Sequence, residues 1–297
     1  MKKIILNGCS WIAGDEIVWK EFCEEKGLEN EDFMTFSERY GGTEKKHLIT
    51  YYRTVWRKNH NQGSMLSRML ETQVIDLAID GNSNDGIALG TINYVNTIPV
   101  NERKDYHVVI GWTILERKAL WLDYYWDNCN YSHYTEKQGN WSRWKNRILG
   151  GIIENTDNDW YLSYYKNVIM LESFLKSNDM TYTFYRSLGS KDQFFFRPDK
   201  IGIIKSKMFY TRQPIPISTL NFHNLRPEFI DKDNWFVFFD RDTDLPFCSD
   251  SWTRYCESIY DFDEWVIRPE NRHPNKNCTE NLSKRLSDFI LERKYLE

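Results

Sequence analysis

A serine, a carboxylate and a histidine stand near opposite ends of this chain, at Ser10, Glu270 and His273. Ser10 follows a short apolar run, residues 2–6, through the turn Gly8-Cys9. Asp15-Glu16 then open an expected helix through Cys23. A serine between a strand and a helix can hold its hydroxyl above a sheet edge, where first-turn amides face developing negative charge. A serine nucleophile needs that geometry. The same turn admits a plainer reading, in which Ser10 only caps the helix. His273 lies in Arg268-Pro269-Glu270-Asn271-Arg272-His273-Pro274-Asn275. Pro274 fixes the backbone beyond the histidine and biases His273 toward an extended conformation. Glu270, three residues earlier, can reach the imidazole from the same loop. Such a pair is ordinarily surface decoration; beside a serine it is a general base with an orienting group.

Groups this far apart in sequence need a scaffold that brings them to one edge. Residues 2–6, 74–79, 107–110 and 181–185 read as short buried strands. Helical patterns separate or follow them at 64–71, 87–97, 160–176 and 279–294. The stretch 160–176 places Tyr161, Tyr164, Tyr165, Val168, Leu171 and Leu175 on one stripe. Asn84 or Asp85 is the expected N-cap of the helix at 87–97. This alternation predicts an α/β fold with a parallel sheet covered on both faces. Such sheets bind ligands at the carboxyl ends of their strands, and Ser10, Gly81 and Thr113 each follow a predicted strand end. Residues 116–159 and 189–261 break the alternation; the second stretch holds five prolines and one further strand candidate at 235–239. Both read as insertions in a single domain, 1–297, that build the rim of a site.

Composition narrows the class. The net charge is -4 across 297 residues and the pI is near 5.9, so the basic excess of a nucleic-acid binder is missing. The chain carries 12 Trp, 18 Tyr and 17 Phe, with Trp121, Trp126, Trp141, Trp144 and Trp160 crowded together. Aromatic faces suit sugar rings as well as protein cores, and packing is the commoner use of any one ring. Six cysteines show neither CxxC spacing nor a His/Cys zinc pattern, so the reading is free thiols in a reducing compartment, with no metal and no cofactor. Lys2-Lys3 and Leu6-Asn7-Gly8-Cys9 look superficially like a lipoprotein signal, but the apolar run is only Ile4-Ile5-Leu6. No apolar run is long enough for a bilayer span. Cytoplasmic synthesis, without a signal peptide or a membrane partner, is the expectation.

Four blocks together resemble the SGNH (GDSL-type) hydrolase superfamily, in a divergent form like those of tailed bacteriophages. Gly8-Cys9-Ser10-Trp11 is similar to the family's serine block, and the run from Asp76 to Ser83 to its glycine block, with Gly81 as the glycine. Val108-Val109-Ile110-Gly111 matches the third strand and its glycine, but Thr113 stands where the family has asparagine. Glu270-Asn271-Arg272-His273 matches the terminal DxxH with Glu for Asp. Ser83-Asn84-Asp85 and Gly111-Trp112-Thr113 look like the phage-type variants. The resemblance covers about residues 1–113, 160–186 and 270–297. It implies a flavodoxin-like three-layer α/β/α sandwich with a mostly parallel sheet.

It also implies roles: Ser10 as nucleophile, His273 as base and Glu270 as orienting acid, with Asp261 or Asp263 as substitutes for Glu270. The backbone amides of Ser10 and Gly81 would form an oxyanion hole, completed by Asn84, which is favoured, or by Thr113. The implied substrate is a small acyl ester, such as an O-acetyl group on a carbohydrate. A rival reading is a phage structural or binding protein, virion-associated, that keeps the sheet without the activity. A nucleotide-binding reading is weaker, because Gly8-Cys9-Ser10-Trp11 lacks the dinucleotide glycine pattern and Trp11 would crowd a phosphate.

Overall fold

Four short apolar segments form one parallel sheet in the computed structural model, which describes residues 2–14, 17–28, 36, 46–113, 117–122, 125–130, 157–187, 231–238, 251–261 and 273–297. The strands are β1 (Lys3–Asn7), β2 (Val74–Asp76), β3 (Tyr106–Trp112) and β6 (Thr181–Arg186), in the order β2-β1-β3-β6. Strands β4 (Arg117–Leu122) and β5 (Tyr125–Asn130) form a separate antiparallel hairpin inside the first expected insertion. The order of the parallel strands and the helices that connect them make a flavodoxin-like α/β fold.

Side-chain alternation explains why both faces are covered. Ile5, Val108, Ile110, Tyr182 and Phe184 point to one face; Ile4, Leu6, Val109 and Tyr185 point to the other. On the first face lie helices α5 (Asn84–Asn96) and α6 (Asp157–Ser177). Tyr164, Val168, Leu171 and Leu175 recur at helical spacing on α6 and are buried there, as the sequence stripe predicts. On the second face lie α4 (Gln62–Met69), α7 (Trp252–Ile259) and α8 (Lys276–Glu292). Each fully buried Leu or Ile contributes on the order of 1.5–3 kcal/mol. An exposed pair such as Lys26–Glu25 is screened by solvent and adds little, so the two apolar faces dominate.

Three expectations need correction. The helix expected from Asp15 through Cys23 runs instead from Trp19 to Lys26, as α2, and a short helix that was not expected, α1 (Ser10–Ala13), precedes it. Gly14 separates them at φ 71°, a left-handed conformation that ends α1. The strand expected at 235–239 is a single parallel bridge from Trp235 to Phe184, extended by a hydrogen bond from the Phe236 N–H to the Phe184 carbonyl. The N-cap of α5 is Ser83, whose hydroxyl accepts from the Gly86 N–H; neither Asn84 nor Asp85 fills that role.

Between α2 and α4 the chain forms α3 (Lys46–Tyr51) and a π-helical turn at Tyr52–Trp56, which close a third apolar cluster around Trp19, Phe22 and Tyr52. No helix among the described residues is long and apolar enough to cross a membrane. Cys9, Cys23, Cys256 and Cys278 are buried.

Candidate active site

The turn after β1 is held from beneath by Asn7. Its amide nitrogen donates to the Ile87 carbonyl (3.1 Å) and the Thr91 hydroxyl (3.0 Å) on α5, while its side-chain oxygen accepts from the Gly8 N–H (2.8 Å). All three bonds are buried, which ties the end of β1 to α5. Sequence reasoning passed over Asn7; a polar residue closing an apolar strand directly before Gly-Cys-Ser is the signal that marks it.

Gly8 is required by close packing. A Cβ there would come within 2.3 Å of Ile12 Cγ1 and 3.1 Å of the Gly111 carbonyl oxygen. Gly111, the matching position on β3, would crowd Ile12 and the Tyr185 ring in the same way. The two glycines let Ile12 pack down between the strand ends. We expect Gly8→Ala to cost about 1–3 kcal/mol from overpacking and to displace the following serine. Urea unfolding reads the first effect and ester turnover per folded molecule the second; a variant unchanged in both would mean the turn relaxes freely.

Helix α1 starts immediately. The Cys9 carbonyl accepts from the amides of Ile12 (2.9 Å) and Ala13 (3.0 Å). Cys9 occupies the N-cap position and makes no side-chain cap bond, so the Ser10 hydroxyl is not consumed in capping. Ser10 is the first helical residue and is 4% exposed. Beside it Trp11 packs edge-to-face on Trp252 of α7, with centroids 5.3 Å apart.

His273 arrives from 263 residues away in sequence, and its Nε2 lies 3.0 Å from Ser10 Oγ. Helix α8 anchors the histidine loop. Asn275 is its N-cap, accepting from the Cys278 N–H at 3.0 Å, and the Asn275 carbonyl accepts from the Thr279 amide and hydroxyl. His273 therefore stands two residues before a fixed helix start, held by Pro274 between them. Glu270 and Asp263 lie outside the described residues, and Asp261 is exposed after α7.

The loop after β2 closes the other side. Leu77 and Ile79 continue to bond β1 beyond the last ladder pair: the Leu77 N–H donates to the Leu6 carbonyl and the Ile79 N–H to the Gly8 carbonyl. Asn82 Nδ2 also donates to the Gly8 carbonyl at 3.4 Å. Arg57, nearly buried, pairs with Asp80 at 2.6 Å and pins the start of the turn. Gly81 follows at φ 74°, and a Cβ there would meet nothing within 4 Å. Its conformation, not crowding, is what calls for glycine. Asn84 then reaches the end of β3. Its Oδ1 accepts from the Thr113 N–H at 3.0 Å and its Nδ2 donates to the Thr113 carbonyl at 3.4 Å.

Beneath the site the buried Tyr185 hydroxyl donates to Gln62 Oε1 at 2.9 Å, and burial raises the tyrosine well above its ordinary range. Burial likewise raises the Asp76 carboxyl, against bonds from Ala78 N–H and Asn61 that act in the opposite direction. No three His, Cys, Asp or Glu residues come together as a metal site among the described residues.

The structure thus brings Ser10 and His273 into contact, and Asn84 into contact with Thr113. Polar and charged groups from three loops meet at the carboxyl edge of one sheet. A serine hydroxyl bonded to an imidazole can attack an electrophilic carbonyl.

Neither a family model nor a curated protein sequence matches the chain. Among solved structures it is similar to a protein assigned to the G-D-S-L lipolytic family from Desulfitobacterium hafniense DCB-2, at 11% identity and a TM-score of 0.38, over 97% of this chain and 99% of that one. It is also similar to TesA, at 9% identity and a TM-score of 0.40, over 97% and 98% of the two chains. A family two carbohydrate esterase from Cellvibrio japonicus gives 11% identity and a TM-score of 0.43, over all of this chain and 63% of that one.

Proposed function

We propose that this protein is an SGNH-type serine esterase that hydrolyses a small acyl ester. The observation that carries the reading is the 3.0 Å contact between Ser10 Oγ and His273 Nε2 at the carboxyl edge of the sheet. In the proposed reaction Ser10 Oγ attacks the acyl carbonyl while its proton passes to His273 Nε2. The proton then goes to the leaving alkoxide as the ester C–O bond breaks, which leaves an acyl-serine. Water, deprotonated by His273, attacks the acyl-serine; the acid departs and the serine regains its proton. Glu270 is proposed to orient the imidazole from the same loop, as the DxxH resemblance implies.

The backbone N–H groups of Ser10 and Gly81 are the proposed donors to the oxyanion. Losing one such donor costs on the order of a hundredfold or more in rate. An acetylated carbohydrate is the proposed substrate class, supported by the aromatic-rich sequence between Trp112 and Trp265. A phage setting rests on the sequence resemblance alone.

A fluorophosphonate tests the reading. Intact-mass analysis should show one adduct, and peptide mapping should place it on Ser10. A chain that stays unlabelled favours the non-catalytic binding protein, and an adduct elsewhere places the nucleophile on another residue.

A further inference from the structure

We infer that Arg57 is a positioning residue for this site: through its ion pair with Asp80 it holds the turn at residues 79–82 against the carbonyl of Gly8, two residues before Ser10. The inference rests on the serine esterase reading above. The turn is defined by its own bonds. The Asn82 N–H donates to the Ile79 carbonyl at 3.2 Å, Gly81 stands at φ 74°, and Asp80 before it has no positive φ. A left-handed glycine at the third position of a four-residue turn, after a residue that is not left-handed, marks the type II form. Types I and II differ by a flip of the central peptide. Here the central peptide joins Asp80 to Gly81, so it carries the Gly81 N–H that is proposed as an oxyanion donor.

Both ends of the turn rest on one acceptor. The Ile79 N–H donates to the Gly8 carbonyl at 3.2 Å, and Asn82 Nδ2 donates to the same oxygen at 3.4 Å. A shift of the turn is therefore passed to the peptide that leads into Cys9 and Ser10. The middle of the turn is held from a different element. Arg57 Nη1 lies 2.6 Å from Asp80 Oδ2, with the arginine side chain 11% exposed and the aspartate 35%. The other carboxylate oxygen, Oδ1, is buried and has no hydrogen-bond partner among the described residues, so Arg57 is the group that compensates this charge. The backbone of Arg57 is fixed on both sides. Its N–H donates to the Tyr52 carbonyl and closes the π-helical turn, and its carbonyl accepts from the His60 N–H at 3.0 Å. Tyr52 is fully buried in the third apolar cluster, so the arginine reaches Asp80 from an anchored base. A π-helical turn holds one extra residue, which rotates the chain after it by about 100° relative to an α-helix. Arg57 is the first residue after that turn.

Two effects follow for the reacting atoms. A donor aimed at a developing oxyanion acts only when it is already in place, because reorienting it in the transition state consumes the gain. Without the ion pair the central peptide of the turn is free to flip, which swings the Gly81 N–H to the other side. A carboxylate one residue from that N–H also opposes negative charge developing there, and a paired arginine offsets it. Arg57 thus acts through Asp80 and need not touch substrate.

The test measures the rate of Ser10 phosphonylation by a fluorophosphonate, and kcat and KM for 4-nitrophenyl acetate, per folded molecule. Arg57→Met keeps most of the side-chain bulk and removes the charge. We expect it to lower the phosphonylation rate and kcat by about tenfold to a hundredfold, the scale of misplacing a reacting group by about an ångström, with KM little changed. Arg57→Lys should recover part of that loss, since it restores the charge without the planar fork. Lys58→Met removes an exposed charge next door and should keep wild-type rates. Asp80→Asn should be slow as well. The double variant of Arg57→Met and Asp80→Asn should be no slower than the slower single one, because the two side chains act as one unit. Wild-type rates in Arg57→Met, equal losses in Lys58→Met, or losses that multiply in the double variant would overturn the inference. The Asp80→Asn arm decides even if Arg57→Met does not fold, since wild-type rates there overturn it too. A wild-type chain that takes up no probe would instead overturn the esterase reading, and the inference with it.

Discussion

Ser10→Ala is expected to remove hydrolysis of a small ester almost completely while leaving a cooperatively folding chain. Deleting the nucleophile of a serine-histidine pair costs several orders of magnitude in kcat, since the remaining groups can act only on water. Stability should change far less. The Ser10 hydroxyl is bonded to His273 and does not cap α1, so its removal costs at most about one hydrogen bond, roughly 1 kcal/mol. His273→Ala should be nearly as slow, and the double variant no slower than either single one, because the two side chains act as one unit. Steady-state kinetics beside urea unfolding separates the two quantities. A Ser10→Ala chain that still turns over substrate places the nucleophile elsewhere.

Acid should destabilise the fold through a residue at the opposite end of the sheet. His107, near the start of β3, is fully buried; its ring nitrogens lie 2.9 Å from the Thr181 hydroxyl and 3.0 Å from the Thr183 hydroxyl. Tyr295 stacks on it, with centroids 4.9 Å apart. Burial, then the nearby Lys2 charge, lowers its pKa from 6.5 to about 3. The sign follows from linkage. Between those two values the unfolded chain binds a proton at this histidine and the folded chain does not. Stability is therefore complete above about pH 6.5 and is lost as the pH falls, with the loss levelling off near pH 3. A displacement of that size corresponds to up to about 5 kcal/mol. That is a large share of the 5–15 kcal/mol typical of a domain. Urea midpoints measured from pH 7 to pH 4 should fall more steeply for the wild type than for His107→Gln, which has no ring to protonate. Parallel slopes in the two chains would mean that His107 titrates normally.

The sequence alone determined the main elements, because apolar periodicity is a local property. Alternating short apolar runs and helical stripes placed β1, β3, β6 and the core face of α6 within a few residues of where they stand. It also singled out Ser10 and His273, since a serine after a strand and a proline-flanked histidine are legible in a few residues. The short helix α1 was missed because four residues between a glycine turn and the left-handed Gly14 carry too little periodicity to read as a helix. The partners were settled only by tertiary structure. Asn7, Asn82 and Asn84 are three polar residues of ordinary appearance, and a carboxamide bonds whatever backbone the fold brings to it. Asn84 read as a cap or a donor from its neighbours in sequence, yet it bonds Thr113, 29 residues away and one strand over. Contacts of that kind depend on strand order and register, which local patterning leaves open. The same holds for the 3.0 Å approach of His273 to Ser10, made when α8 packs its Leu282, Leu286 and Ile290 against the sheet face that carries Ile4 and Leu6.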